Sequence, residues 1–344
     1  MRRDANADLL RIVSCLAVVG LHSFSIENGL SFFLYKLCGF SVPMFFVLSG
    51  YFLLARKEPP SSCIGRVRRI AVQVLSWNVL YWAAVSLFPA FGRTDGKPVF
   101  ASLWEGFLQE GVFWHFWFFG SLLLIYIILP ALRKLLSDGR GDIVPRRLYS
   151  LWAMLLLVGI TIQALSVCVF RRPLQAEITQ CFRLWTWFQY FLLGGILSLK
   201  RDGPYGRRWI TATTVCLVAL VVVLYQSIIS CFTRMYLAEF YYDSVLTVVW
   251  VVSLFVCVIG TGLSDRAIRI TERLSPYGLG IYIIHPLVRP VLAKLLPDGM
   301  ESLMFFPLLA TVSLFLVMVL GKIPLLYNLI SVKSWKGKEE ANGQ

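Results

Sequence analysis

Apolar residues fall along this chain in ten runs, separated by short polar segments. They lie at about 9–24, 38–54, 70–88, 112–132, 148–170, 185–199, 209–229, 244–262, 277–295 and 303–327. A helix crosses the roughly 30 Å hydrocarbon layer with about 20 residues, and most of the runs approach that length. The pattern therefore predicts an all-α polytopic membrane protein with about ten transmembrane helices in one bundle. The run at 185–199 is short, which leaves room for a tilted or broken helix.

The segments between the runs are too short and too polar for a soluble domain. The inner connection 133–147 is basic and broken by Ser137-Asp138-Gly139-Arg140-Gly141 and Pro145, which reads as a loop. The outer stretch 89–111 carries Gly92-Arg93-Thr94-Asp95-Gly96-Lys97-Pro98 and reads as a loop over the outer face. No internal repeat is visible. The expected organisation is one transmembrane domain over 1–330 and a short cytoplasmic tail over 331–344.

Composition agrees with a membrane protein: 58% of residues are hydrophobic and the mean hydropathy is +0.71, far above a soluble composition. Charge then sets sidedness. With the N-terminus inside, the inner segments hold 22 of the 33 Lys and Arg residues, while Lys36, Arg93, Lys97, Arg171, Arg172, Arg183 and Arg234 fall outside. This alternation predicts both termini in the cytoplasm of a multi-pass protein of the cytoplasmic membrane. It also accounts for the net charge of +14, with the lipid bilayer as the partner and no nucleic acid. Arg2 and Arg3 before an apolar run imitate a signal peptide. Arg11 interrupts that run, however, and no small-x-small site follows, so cleavage is not expected. The eight cysteines contain no C-x-x-C pair, and no metal is expected. Cys38, Cys181 and Cys231 lie towards the outer side, with any pairing open.

Candidate chemistry concentrates in the first run. Arg11 and His22 are eleven residues apart, three helical turns, so both lie on one helix face about 16 Å apart along the axis. Asp8, Ser14, Cys15 and Ser25 fall near the same stripe. Ionisable groups are costly in lipid and mark functional interiors, so this helix has a wet or catalytic side. His22 is the candidate general base, because a buried neutral imidazole can take a proton. The alternative is an imidazole that only hydrogen-bonds between helices.

Other groups carry two readings each. Arg66-Val67-Arg68-Arg69, just before the third run on the inner side, offers guanidinium groups for phosphates; taken alone, it is better accounted for by ordinary inner-side positive charge. His115-Phe116-Trp117-Phe118-Phe119 reads either as an acceptor-binding rim or as an aromatic belt at the outer interface. Three segments mix small and aromatic residues in the manner of tight helix contacts: Phe45 to Phe52, Tyr190 to Gly195, and Tyr277 to Pro286. Ser49 has no nucleophile elbow around it. His285, followed by Pro286, reads as a lining residue rather than a second base. No Asp or Glu lies well inside any run, which speaks against an ion-coupled carrier.

In order along nearly the whole chain, these segments resemble the membrane-bound acyltransferase-3 family. Asn6-Ala7-Asp8-Leu9-Leu10-Arg11 with ten residues before His22 resembles its opening Arg-x10-His signature. Phe45-Phe-Val-Leu-Ser-Gly-Tyr-Phe52 resembles its second-helix motif, with Tyr51 where Phe is common. Arg66-Val-Arg68 resembles its Arg-x-Arg, His115-Phe-Trp117-Phe its His-x-Trp-Phe stretch, and Tyr277 to Pro286 its closing Tyr…His motif. The resemblance implies a ten-helix O-acyltransferase. It would move an acyl group, commonly acetyl, from cytoplasmic acyl-CoA to a hydroxyl of a glycan, lipid-linked sugar or small molecule outside. His22 would be the base with Arg11 its partner; Arg66, Arg68 and Arg69 would hold the CoA phosphates. Asp8, His115, Trp117, Tyr282 and His285 would line the substrate path. The reading from another class is a transporter or flippase that moves a polysaccharide or small solute without chemistry.

Overall fold

Helix α1 (Ala5–Leu21) opens the fold, its first turn capped by Asp4, whose carboxylate accepts from the Ala7 N–H at 3.2 Å. Such a cap satisfies one of the free N–H groups of the first turn. The computed structural model describes residues 4–26, 29–54, 60–87, 99–138, 141–199, 211–296 and 302–330. The tail over 331–344 lies outside them. So do the basic residues Arg2, Arg3, Arg56, Lys57, Arg93, Lys97, Arg140, Lys200, Arg201, Arg207 and Arg208. Among the described residues the chain is helical, with a single isolated bridge pair, Ser137 with Ile143.

After α1 the chain turns back through α2 (Gly29–Leu37) and α3 (Ser41–Leu53). Then follow α4 (Pro60–Leu87), α5 (Val99–Phe107), α6 (Trp117–Leu136) and α7 (Pro145–Ala164), which runs on as a wider turn over Leu165–Phe170. Next are α8 (Leu184–Leu199), α9 (Ala212–Thr233), α10 (Val245–Ile259), α11 (Asp265–Leu274), α12 (Gly278–Leu295), α13 (Ser302–Leu320) and α14 (Pro324–Ile330). Each expected apolar run falls on a helix. Six helical stretches among the described residues are long and apolar enough to cross a membrane, and α8 and α10 are shorter apolar helices. One expectation is corrected. The outer stretch 89–111 is not all loop, because α5 forms there and packs Leu103 and Phe107 on the core. These two residues are four apart and so share a helix face.

Helices α1 and α3 sit at the centre, and α3 runs against α8 at backbone contact. A Cβ built on Gly50 would stand 1.8 Å from the Phe191 carbonyl oxygen, and one on Gly194 would stand 2.0 Å from that of Val47. Only glycine permits this approach, the means by which helices gain dispersion contacts in lipid. The peripheral helices show the reverse of a soluble pattern. On α9 the exposed face carries Leu217, Val221, Leu224, Ile228 and Phe232, whereas Gln226, Ser230 and Thr233 face inward. The exposed positions recur every three or four residues, the period of one helix face. Apolar outside and polar inside is what a hydrocarbon solvent selects.

Polar ties fix the ends of these helices. Asn6 donates to the carbonyls of Ile259 and Thr261, both at 2.9 Å, closing the C-terminus of α10 on α1. Carbonyls in the last turn of a helix have no partner of their own, so such a donor is needed. Arg133 of α6 donates to the Leu53 carbonyl at the end of α3. Before α8, Arg183 donates to the Ile178 carbonyl at 2.8 Å and faces Glu239 at 3.7 Å, while Gln180 donates to Glu239. Burial pushes the Glu239 carboxyl up from its usual range, against the opposing pull of Arg183 and Gln180, because a low-dielectric surrounding disfavours the charged form.

Candidate functional site

The polar stripe expected on α1 points into the protein. Asp8, Ser14 and Cys15 are buried, and the Cys15 thiol lies 3.2 Å from the Gly278 carbonyl of α12. The stripe has two separate ends. At the N-terminal end Arg11 pairs with Asp8 at 2.5 Å, and its guanidinium also lies over the Phe52 ring of α3 at 4.8 Å. The first contact is the usual pairing of residues one turn apart, the second a cation held over a π-face. Tyr126 of α6 is buried beside them. Its hydroxyl meets Ser49, and it lies within electrostatic reach of both Arg11 and Arg66. Arg66 is half-buried and 3.3 Å from Ser62 Oγ, whereas Arg68 and Arg69 are exposed. Residues two apart on a helix differ by about 200°, so Arg66 and Arg68 do not share a face. This cluster thus brings Arg11, Arg66 and Tyr126 together and leaves Arg68 and Arg69 on the outside of α4. Ser49 donates to the Phe45 carbonyl at 2.8 Å, the ordinary bond of a serine within a helix.

At the other end α1 stops at Leu21, and His22 is its C-cap, with its backbone N–H on the carbonyls of Val19 and Gly20. The helix ends earlier than the apolar run, which places the imidazole on a turn rather than inside a continuous span. The ring is half-buried. Trp114 meets it edge-on at 4.7 Å between centroids, and His285 stacks on it at 5.3 Å and 17°. His115 lies 6.0 Å from His285, so the chain's three histidines converge from α1, α12 and the short turn Trp114–Phe116. The cation within electrostatic reach of His22 is Arg289, exposed one turn beyond His285, and not Arg11. Arg11 shares the stripe of His22, as expected, without touching it.

The aromatic segment behaves unlike either expectation. Phe116, Trp117, Phe118 and Phe119 are all buried in the bundle, with Trp117 stacked on Trp187 at 5.1 Å, so they form neither a lipid belt nor an open rim. Trp114 alone of the group is partly exposed, beside His22. Tyr282 donates from its hydroxyl to the His115 carbonyl at 2.6 Å and locks that turn onto α12. His115 is 1% exposed, and neither of its ring nitrogens makes a well-formed hydrogen bond, although the Ile283 backbone is close. Among the described residues no group of His, Cys, Asp and Glu has the spacing to hold a metal ion.

Sequence reasoning missed three features: Tyr126 itself, the pairing of Asp8 with Arg11, and a contact between two of the named histidines. Tyr126 carries no motif. Asp8 stands three residues before Arg11, and that spacing was a readable signal for an ion pair. The third is the stacking of His22 on His285, which joins residues far apart in sequence and leaves no local signal.

A helical membrane-protein fold with an arginine cluster at one end of its central helix and an imidazole cluster at the other defines a polytopic protein with a polar interior. The family described as an acyltransferase domain matches residues 4–326, and the chain belongs to this acyltransferase-3 family. A relative named as an amino-acid racemase, from Enterococcus faecalis, is 27% identical over 143 residues; this is 39% of the present chain and 20% of that protein's length. No solved structure matches.

Proposed function

We propose that the chain is an acyl-CoA-dependent O-acyltransferase of the cytoplasmic membrane, crossing it about ten times with both termini inside. Acetyl is the acyl group the reading favours, and the acceptor is a hydroxyl of a glycan, lipid-linked sugar or small molecule. Arg66, with Arg11 and Tyr126 behind it, receives the phosphates of CoA at the inner end, where bidentate guanidinium bonds suit phosphate oxygens. The pantetheine arm then extends along the stripe of α1 towards His22. His22 takes the proton of the acceptor hydroxyl as the oxygen attacks the thioester carbonyl. The C–S bond breaks, and CoA leaves as the thiolate, to be protonated by the imidazolium or by water.

The observation that carries this reading is the placement of His22: a half-buried imidazole at the end of the central helix, within a family of acyltransferases. General-base assistance is worth about 10²–10⁴ in rate. Membranes holding the protein are incubated with acetyl-CoA radiolabelled in the acetyl group, and label is counted in lipid and glycan fractions. Transfer is expected with the natural sequence and a loss of at least about 100-fold with His22→Ala. Undiminished transfer by that variant removes His22 as base. An absence of label in every fraction, with solute movement retained, supports the transporter reading instead.

A further inference from the structure

His285 is wholly buried, and its Nδ1 lies 3.0 Å from the carbonyl oxygen of Ile281 one turn back on α12. A carbonyl only accepts, so in the neutral ring Nδ1 carries the hydrogen. The next residue reinforces this arrangement. Pro286 has no N–H, so the Tyr282 carbonyl loses its usual helical donor, and that oxygen is the second acceptor beside the ring. Nε2 is therefore a bare lone pair, and no group among the described residues donates to it. A buried acceptor without a donor keeps its full desolvation penalty, so the arrangement is unfavourable unless something supplies the hydrogen bond. The ring stacks on His22 at 5.3 Å, and His22 is half-buried.

We infer that His285 is a substrate-binding residue, a tautomer-locked hydrogen-bond acceptor that receives an O–H or N–H of the acceptor molecule through Nε2. The inference rests on the acyltransferase reading and adds a requirement to it. The hydroxyl that is acylated gives its proton to His22 and has none left for His285. The acceptor must therefore present a second donor next to the reacting hydroxyl, as a neighbouring hydroxyl or amide N–H does, and a simple monohydroxy alcohol does not. Held by two imidazoles, the acceptor is fixed in position as well as activated.

Two isosteres separate the roles of the ring. In Asn the side-chain amide overlies Nδ1 and keeps the bond to Ile281 while losing the atom at Nε2. In Gln the amide oxygen overlies Nε2 and keeps an acceptor there without the capacity to ionise. With radiolabelled acetyl-CoA and membranes, His285→Gln is expected to retain transfer within about threefold and His285→Asn to lose roughly 10–100-fold, the value of one hydrogen bond. The reverse order, or full activity in both, overturns the inference in favour of a structural role. Loss in both to the level of His22→Ala overturns it in favour of an ionising base. A second measurement needs no turnover. With three histidines in the chain, ring ¹⁵N spectra of the histidine-labelled protein, assigned with the same two variants, report each tautomer directly. A neutral ring protonated at Nδ1 for residue 285 is expected, and a ring protonated at Nε2 refutes the premise even where transfer fails for an unrelated reason.

Discussion

Replacing Gly194 with alanine tests the claim that α3 and α8 touch backbone to backbone. The new Cβ would lie 2.0 Å from the Val47 carbonyl oxygen and 2.7 Å from the Tyr51 nitrogen. Ordinary contacts of this kind begin near 3.4 Å, so the helices must separate by more than a bond's adjustment or shear past each other. Neither atom belongs to a flexible side chain, so the strain cannot be relieved by a rotamer change. A radial gap of about 0.5–1 Å already forfeits a quarter to a half of each dispersion contact, and the whole interface shares the gap. Overpacking of this kind costs about 1–3 kcal/mol and occasionally more, with the upper end expected here. The assay is thermal unfolding of the purified protein in detergent, followed by the loss of the monodisperse peak in size-exclusion chromatography. Gly194→Ala should lower the midpoint by on the order of 5 °C or more. Gly65, in α4, is the control, because a Cβ there meets nothing within 4 Å. The exchange also gains about 0.8–1 kcal/mol of helix propensity. Gly65→Ala should hold or raise the midpoint. Equal midpoints for the two variants would refute the reasoning.

Further outcomes follow from the same geometry. Arg66→Ala should raise the KM for acetyl-CoA by roughly tenfold or more, the value of a charge-assisted bond, while Arg68→Ala changes it by less than about twofold; equal effects would contradict the division of the cluster between two faces of α4. Tyr282→Phe removes one donor to the His115 carbonyl, which also accepts from the Trp117 N–H, and should cost about 0.5–1.5 kcal/mol of stability, read as a lower unfolding midpoint in detergent. An unchanged midpoint would mean that the bond at 2.6 Å does not hold the turn. Lys36 is wholly buried, 3.1 Å from Ser230 and with its ammonium over the Tyr241 ring at 4.4 Å. Ser230 keeps its bonds to the Gln226 and Met235 carbonyls without it. Removing a buried charge together with its desolvation cost is often neutral or stabilising. Lys36→Met should therefore leave the midpoint unchanged or higher, and a fall of several degrees would show that the cation holds α2 to α9.

Much of the architecture was legible because a hydrocarbon solvent imposes a simple rule on sequence. Backbone groups must be satisfied within the segment, so each apolar run has to be helical, and each falls on helix, the run 303–327 on two, α13 and α14. Boundaries were less legible where tertiary contacts decide them. The first run continues through Phe24, yet α1 stops at Leu21, because the chain must turn at His22 for α2 to pack back. The outer stretch around Leu103 looked like loop because Gly92 to Pro98 dominates its composition, whereas α5 is held by two side chains that find the core.

The site divides along the same line. Local periodicity was enough to put Arg11 and His22 on one polar face of the helix, since eleven residues make three turns wherever the helix lies. Partners across helices follow from packing, which no spacing encodes. Arg11 and His22 were therefore read as a pair, although Asp8 neutralises the first and His285 accompanies the second. Aromatic composition misled for a related reason. Phe116 to Phe119 look like residues of an interface, but glycine-mediated contact between α3 and α8 draws Trp187 into the centre, and Trp117 follows it there. The two ends of α1 consequently present different chemistry, arginine-lined at the N-terminal end and imidazole-lined at the other. On the proposed function, a donor with phosphates at one end and a reactive carbonyl about 16 Å away would meet both, with α1 setting the distance between them.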